Sequence, residues 1–200
     1  MKPIFVLDFA EIRQHSVDRP RKRDLSVRML LNGLGSSEPH ALDGFAVTTD
    51  AYSRLLATDH LAARLQQILA GLDVHNPSDL ARRGREARAA VLDTALPDDL
   101  RGIILSGYQR LHHRRGGHPV LAVYADPAKE LVRTSESDDH AETFFVHGPH
   151  SLLRAVHHCY ASMFTDDAIA ARAALGCAQL SVGLSIGIIP RTNWTRRLAA

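Results

Sequence analysis

The sequence predicts one domain of mixed α/β (α+β) class, with a helical block set between its strands. Three observations predict it. Short apolar runs suited to strands recur as separate islands, at Phe45 to Val47, Val120 to Ala125, Phe144 to Val146 and Leu180 to Ile189. The segments between them carry apolar residues at helical spacing, opened by cap-plus-proline signals or closed by glycine. Residues 50–113 hold only helical patterns, so the helices form a block and do not alternate strictly with strands.

Residues 2–7, KPIFVL, read as a first short strand. Leu25, Val27, Met29, Leu30 and Leu31 then predict a helix over 25–34, closed by Gly33 and Gly35. After the loop SSEPHALDG, Gly44 permits a turn into the strand Phe45 to Val47. A hydroxyl of Thr48 or Thr49 is expected to cap the next helix, whose apolar face is Tyr52, Leu55 and Leu56. A further helix is expected over 61–72. Asn76-Pro77 pairs a cap with proline at the first helical position and starts a helix through Val91. Pro97 does the same for a segment ending near His112. Strand Val120 to Ala125 is followed by a polar loop over 126–141 and by strand Phe144 to Val146. A helix runs from His150 to Phe164 with Leu153, Val156 and Tyr160 inward, and Thr165 caps another through Leu175. LSVGLSIGII, Leu180 to Ile189, is apolar nearly throughout, as a buried strand would be.

A chain of 200 residues buries roughly 70% of its unfolded surface and so forms a real core. Its 45% hydrophobic and 23% charged residues are ordinary for a soluble globular protein. The net charge of +2 conceals basic clusters at Arg19 to Arg23, at Arg114 and Arg115, and at Arg196 and Arg197. These read as solvated faces or as phosphate contacts; without interleaved aromatics they argue against nucleic acid. Cys159 and Cys177 form neither a disulfide framework nor a CxxC site and are expected as buried thiols. With no secretory signal and no run of about 18 apolar residues, a reducing cytoplasm is the expected setting, with no membrane partner. Twelve histidines include His147, His150, His157 and His158, yet no HxxxH or HExxH occurs, so no metal site is assigned. No GxSxG supports a serine hydrolase.

Asp43-Gly44-Phe45, Thr48-Thr49-Asp50-Ala51-Tyr52, Glu142-Thr143-Phe144 and the stretch AVHHCYASMFTDDAIAARAALG, Ala155 to Gly176, occur in that order. Together they resemble the nucleotide-binding N-terminal domain of the phosphoenolpyruvate synthase, pyruvate phosphate dikinase and rifampicin phosphotransferase family, over almost the whole chain. The resemblance implies one nucleotide-binding half of an ATP-grasp fold over residues 1–200, with the helical block at about 50–113, and ATP as the ligand. Magnesium is left open. It also implies which positions meet the nucleotide: Arg23 where the family's Gly-Gly-Lys lysine stands, Tyr124 for a phosphate-clamping arginine, Asp139 for a loop glycine, Thr143 for a retained threonine, and Ile189 for an adenine-binding glutamine.

Four of these positions depart from the family. Arg23 keeps a cation but loses the two glycines that let backbone approach phosphate. Tyr124 is neutral and cannot act as a bidentate guanidinium. Asp139, beside Asp138, repels phosphate, and Ile189 cannot hydrogen-bond a base. Glu130, where the family has a mobile-loop acid, reads as a solvated charge or a relic. The family's second ATP-grasp half, which carries the metal ligands, is not found by Ala200, so phosphoryl transfer is expected only with a partner chain. Two readings stand at this point: an incomplete kinase half-domain that needs that partner, and a non-catalytic ligand-binding or regulatory protein that has kept the fold and lost ATP. A last strand left uncovered is expected to drive association through residues 180–200, with a second copy or with a partner.

Overall fold

The alternation of buried residues builds a five-stranded sheet: β1 (Val6–Asp8), β2 (Phe45–Val47), β3 (Leu121–Ala125), β4 (Glu142–Val146) and β5 (Ile186–Pro190). This computed structural model describes residues 3–9, 43–125 and 142–191. The predicted helix over 25–34, the loop over 126–141, Arg23, Glu130 and Asp139 lie outside the described residues. The strand order is β1-β2-β5-β3-β4, and each pairing is antiparallel. Among the described residues six helices accompany the sheet: α1 (Thr49–Leu56), α2 (Leu61–Leu69), α3 (Pro77–Asp93), α4 (Asp98–Arg115), α5 (Pro149–Ser162) and α6 (Asp166–Ala174). The expected α+β class and the helical block are both present.

Period-two alternation sends one residue set of each strand into the helical core. Val6, Phe45, Val47, Leu121, Val123, Ala125, Ile186 and Ile188 join that core, with Phe144 and Val146 against it. The helices supply Tyr52, Leu55, Leu65, Val91, Ile104, Val156 and Tyr160. The opposite face is closed as well, with Ala46, Ala122, Tyr124 and Ile189 at most 1% exposed. At roughly 25 cal/mol per Å2 of apolar surface, this burial is the main source of stability.

Two of the motifs that carry the resemblance have packing roles in the fold. Tyr52 of the threonine-rich helix start meets Tyr160 of α5 at 5.4 Å between ring centroids. The corner between α5 and α6 is tied from several sides. Arg88 donates to the Phe164 carbonyl at 2.6 Å, the Thr165 hydroxyl accepts from the Ala168 N–H, and Arg172 donates to the Met163 carbonyl. Arg172 is fully buried, and burial pulls its pKa down to about 10.

Asn76 caps α3 as expected, accepting from the Ser78 and Asp79 N–H groups at 3.1 and 3.2 Å. Four expectations are corrected. Thr48 precedes α1, but its hydroxyl donates to the Ile4 carbonyl and caps no helix N–H. The stretch 180–185 is not strand. Gly183 lies so close to α1 that a Cβ there would stand 2.9 Å from Thr49 Cβ, and only Ile186–Pro190 pairs. The last strand is also not an uncovered edge. β5 sits between β2 and β3 with all five residues buried, which removes the physical basis for association through it. Finally, Cys159 is buried but Cys177 is only half-buried.

Candidate functional site

The face of the sheet turned away from the helical core collects the three described positions that the family resemblance singles out. On β3, Leu121, Val123 and Ala125 face the core, so Ala122 and Tyr124 face the other way. On β4 the same alternation places Thr143 with Phe145, and on β5 it places Gly187 with Ile189. The register is direct: Tyr124 stands opposite Thr143 on one side and Gly187 on the other, and Ala122 stands opposite Ile189. Cross-strand neighbours of this kind have Cβ atoms about 5 Å apart, and the diagonal from Tyr124 to Ile189 is about 7–8 Å.

Burial then sorts the three. Tyr124 and Ile189 are each 1% exposed, whereas Thr143 is half-buried. Ile189 packs where Asp43-Gly44 enters β2. Gly44 has φ +155°, and a Cβ on it would strike the Ile188 carbonyl, lie 2.9 Å from Ile189 Cγ2 and lie 3.1 Å from the ring of Phe9. Only glycine satisfies both that dihedral and that contact. Phe9 is itself fully buried, and its N–H donates to the Gly44 carbonyl at 3.1 Å. An apolar plug of Phe9, Gly44 and Ile189 therefore occupies this end of the face.

Asp43, the first residue of the turn, is tied to the end of α4. Arg115 Nε donates to its carboxylate at 2.6 Å, and Arg114 bridges Asp43 at 3.1 Å and Asp8 at 2.7 Å. Partial burial works against the Arg114 charge. The two carboxylates outweigh it and hold the guanidinium above its ordinary range. Arg114 and Arg115 remain exposed while pairing with these carboxylates, which fits the solvated-face reading of that cluster. Neither this pairing nor the role of Phe9 was readable from the sequence, because the partners are remote along the chain.

What the face offers chemically is narrow. Within β3, β4 and β5 it carries the Thr143 hydroxyl and the Tyr124 phenol and no cation. These residues do not fit a triphosphate, which needs charge-assisted donors. Among the described residues no three His, Cys, Asp or Glu side chains gather to hold a metal ion. His157 Nε2 lies 2.8 Å from the Val91 carbonyl and donates to it, which makes it a packing histidine. Among the described residues no helix is long and apolar enough to cross a membrane.

Comparison with known proteins matches residues 29–192 to the family described as pyruvate phosphate dikinase, AMP/ATP-binding domain. Phosphoenolpyruvate synthase of Neisseria meningitidis serogroup B is 31% identical over 186 residues, covering 92% of this chain and 23% of that protein. The same-named protein of Synechocystis sp. is 29% identical with the same coverage, and that of Aquifex aeolicus is 32% identical over 79% of this chain and 18% of its own length. The chain thus spans about a quarter of the curated relatives it matches. The matched region includes the sheet face, its Tyr124, Thr143 and Ile189, and the corner between α5 and α6: this chain belongs to the pyruvate phosphate dikinase AMP/ATP-binding domain family.

Proposed function

We propose that this chain is a nucleotide-binding domain of the phosphoenolpyruvate synthase type whose hold on ATP has been weakened, and which by itself transfers no phosphoryl group. The carrying observation is that Tyr124, Thr143 and Ile189 share one sheet face, the first and last of them buried and none of them cationic. In this reading the Thr143 hydroxyl keeps a nucleotide contact and Arg23 keeps a phosphate contact. Tyr124 and Asp139 withhold the clamp and the glycine loop, and Ile189 withholds the base contact. The metal-binding carboxylates that phosphoryl transfer requires would come from a second half of the ATP-binding fold, on a partner chain or domain. A ligand-binding or regulatory role without ATP is the second reading. The Phe9–Gly44–Ile189 plug favours it, since it fills part of the face with packed hydrocarbon.

Losing a bidentate arginine–phosphate contact costs about 2 kcal/mol or more, roughly thirtyfold in affinity. Calorimetry of the purified chain with ATP is expected to give millimolar affinity or none, and incubation with ATP and pyruvate no phosphorylated product. Changing Tyr124→Arg, Asp139→Gly and Ile189→Gln together is expected to strengthen nucleotide binding. Micromolar affinity in the unchanged chain would overturn the weakened-site reading. A triple variant that folds yet gains nothing would detach these positions from the nucleotide.

A further inference from the structure

A groove of about 450 Å3 runs between β4 and the first turns of α5, with Phe144, Val146, His147, Ser151, Arg154 and His158 among its lining residues. Its volume lies in the range of small-molecule sites. Phe144 and Val146 give it an apolar floor anchored in the core. The rim is basic, and among the described residues no Asp or Glu lines it. Arg54, Arg82, Arg83, Arg88, Arg101, Arg114 and Arg115 are all ion-paired to carboxylates. Arg154 is exposed and, like Arg64, Arg85 and Arg110, makes no ion pair or side-chain hydrogen bond with any described residue.

The imidazoles are held by ring contacts. His158 meets Phe144 at 6.1 Å, and His147 meets His118 edge-on at 6.2 Å. His118 is in turn stacked on His112 at 4.1 Å, with the Tyr108 hydroxyl 3.1 Å from its Nδ1. Side chains held in this way lose less freedom when a ligand arrives.

We propose that this groove binds a small phosphate-bearing ligand, with Arg154 as the principal anchor. A free guanidinium fork matches two phosphate oxygens, and the Ser151 hydroxyl with the His147 and His158 imidazoles adds donors around a third. Phe144 and Val146 would lie against the apolar part of the ligand. The site differs from the Tyr124 face in its residues: Phe144 and Val146 turn to the helical side of the sheet, and of the outward-facing residues of β4 Phe145 lines the groove whereas Thr143 does not. It does not rest on the nucleotide reading above. An extended acidic segment laid along β4 is the competing occupant; the volume of about 450 Å3 and the single guanidinium favour the small ligand.

The test titrates inorganic pyrophosphate into the full chain at constant ionic strength and follows the His147 and His158 imidazole signals by NMR. Saturable shifts are expected, with affinity falling about tenfold or more in Arg154→Gln and in His158→Gln, since each removes charged or polar donors. Both side chains are exposed, so the variants are expected to fold, and Arg64→Gln on α2 is expected to leave the affinity unchanged. Equal shifts with chloride alone, or full affinity in Arg154→Gln, would overturn the proposal. Displacement of pyrophosphate by a polyglutamate peptide that perturbs the β4 amides would overturn it too, in favour of a strand-adding partner.

Discussion

Gly44 is the residue at which backbone and packing demands coincide most closely. Its φ of +155° is open to glycine, and the Ile188 carbonyl, Ile189 and Phe9 leave no space for a methyl group. Gly44→Ala is expected to destabilise the fold by about 2 kcal/mol or more, read from urea denaturation. Thr48 is a milder case. Its buried hydroxyl spans from the entry of α1 to the Ile4 carbonyl, so Thr48→Val is expected to cost about 1 kcal/mol. His157 carries a pH signature. Burial pulls its pKa below the ordinary 6.5, against the opposing pull of the Val91 carbonyl. The unfolded chain then binds the proton more readily, so this contribution to stability is present above pH 6.5 and is lost as pH falls through the lower folded value. Denaturation midpoints between pH 7 and pH 5 should fall less steeply in His157→Gln than in the unchanged chain.

Among the elements, α3 and α4 show how local and tertiary demands divide. The start of α3 depends on the Asn76 side chain, so Asn76→Ala is expected to cost about 1 kcal/mol and Asn76→Gly only a few tenths. In α4, two glycines should respond in opposite directions. Gly102 has nothing near its missing Cβ, and Gly102→Ala is expected to stabilise by about 0.5–1 kcal/mol. Gly107 faces the ring of Phe45, with Cβ-to-ring distances of 3.1 to 3.2 Å, so the larger Gly107→Val should cost about 1–3 kcal/mol. Thermal unfolding of the two variants side by side checks the sign difference.

For the molecule as a whole, the decisive fact is that the last strand lies in the middle of the sheet. β5 bonds β2 through Ala46 and Gly187 and β3 through Ala122 and Ile189, so it joins the two halves of the sheet. A chain deleted from Ile186 onward loses that joint and leaves β2 and β3 with unpaired edges. It is expected to lose cooperative unfolding, with dispersed amide signals collapsing while circular dichroism still reports helix. Retained dispersion would mean that the β1–β2 and β3–β4 pairs hold independently. The groove at β4 is lined by Phe144 and Val146 from the helical side of this sheet, and Tyr124 faces the other side.

The sequence by itself determined the kind of each element it could be tested on. Asn76-Pro77 and Thr165 announce helix starts because a side-chain cap acts within three residues of itself. The runs around Phe45, Val123 and Phe144 announce strands because alternation is a local property. Phe145 and Ile189 illustrate the limit. Both are apolar strand residues facing away from the core, yet one is half exposed and the other is shut in against Gly44 and Phe9. Only the tertiary structure decided that β5 is central, that Thr48 bonds Ile4, that Arg114 and Arg115 serve Asp8 and Asp43, and that Arg154 lines a groove. Those outcomes join residues tens to more than a hundred positions apart, and they follow from which surfaces the closed chain brings together, a quantity no local pattern encodes.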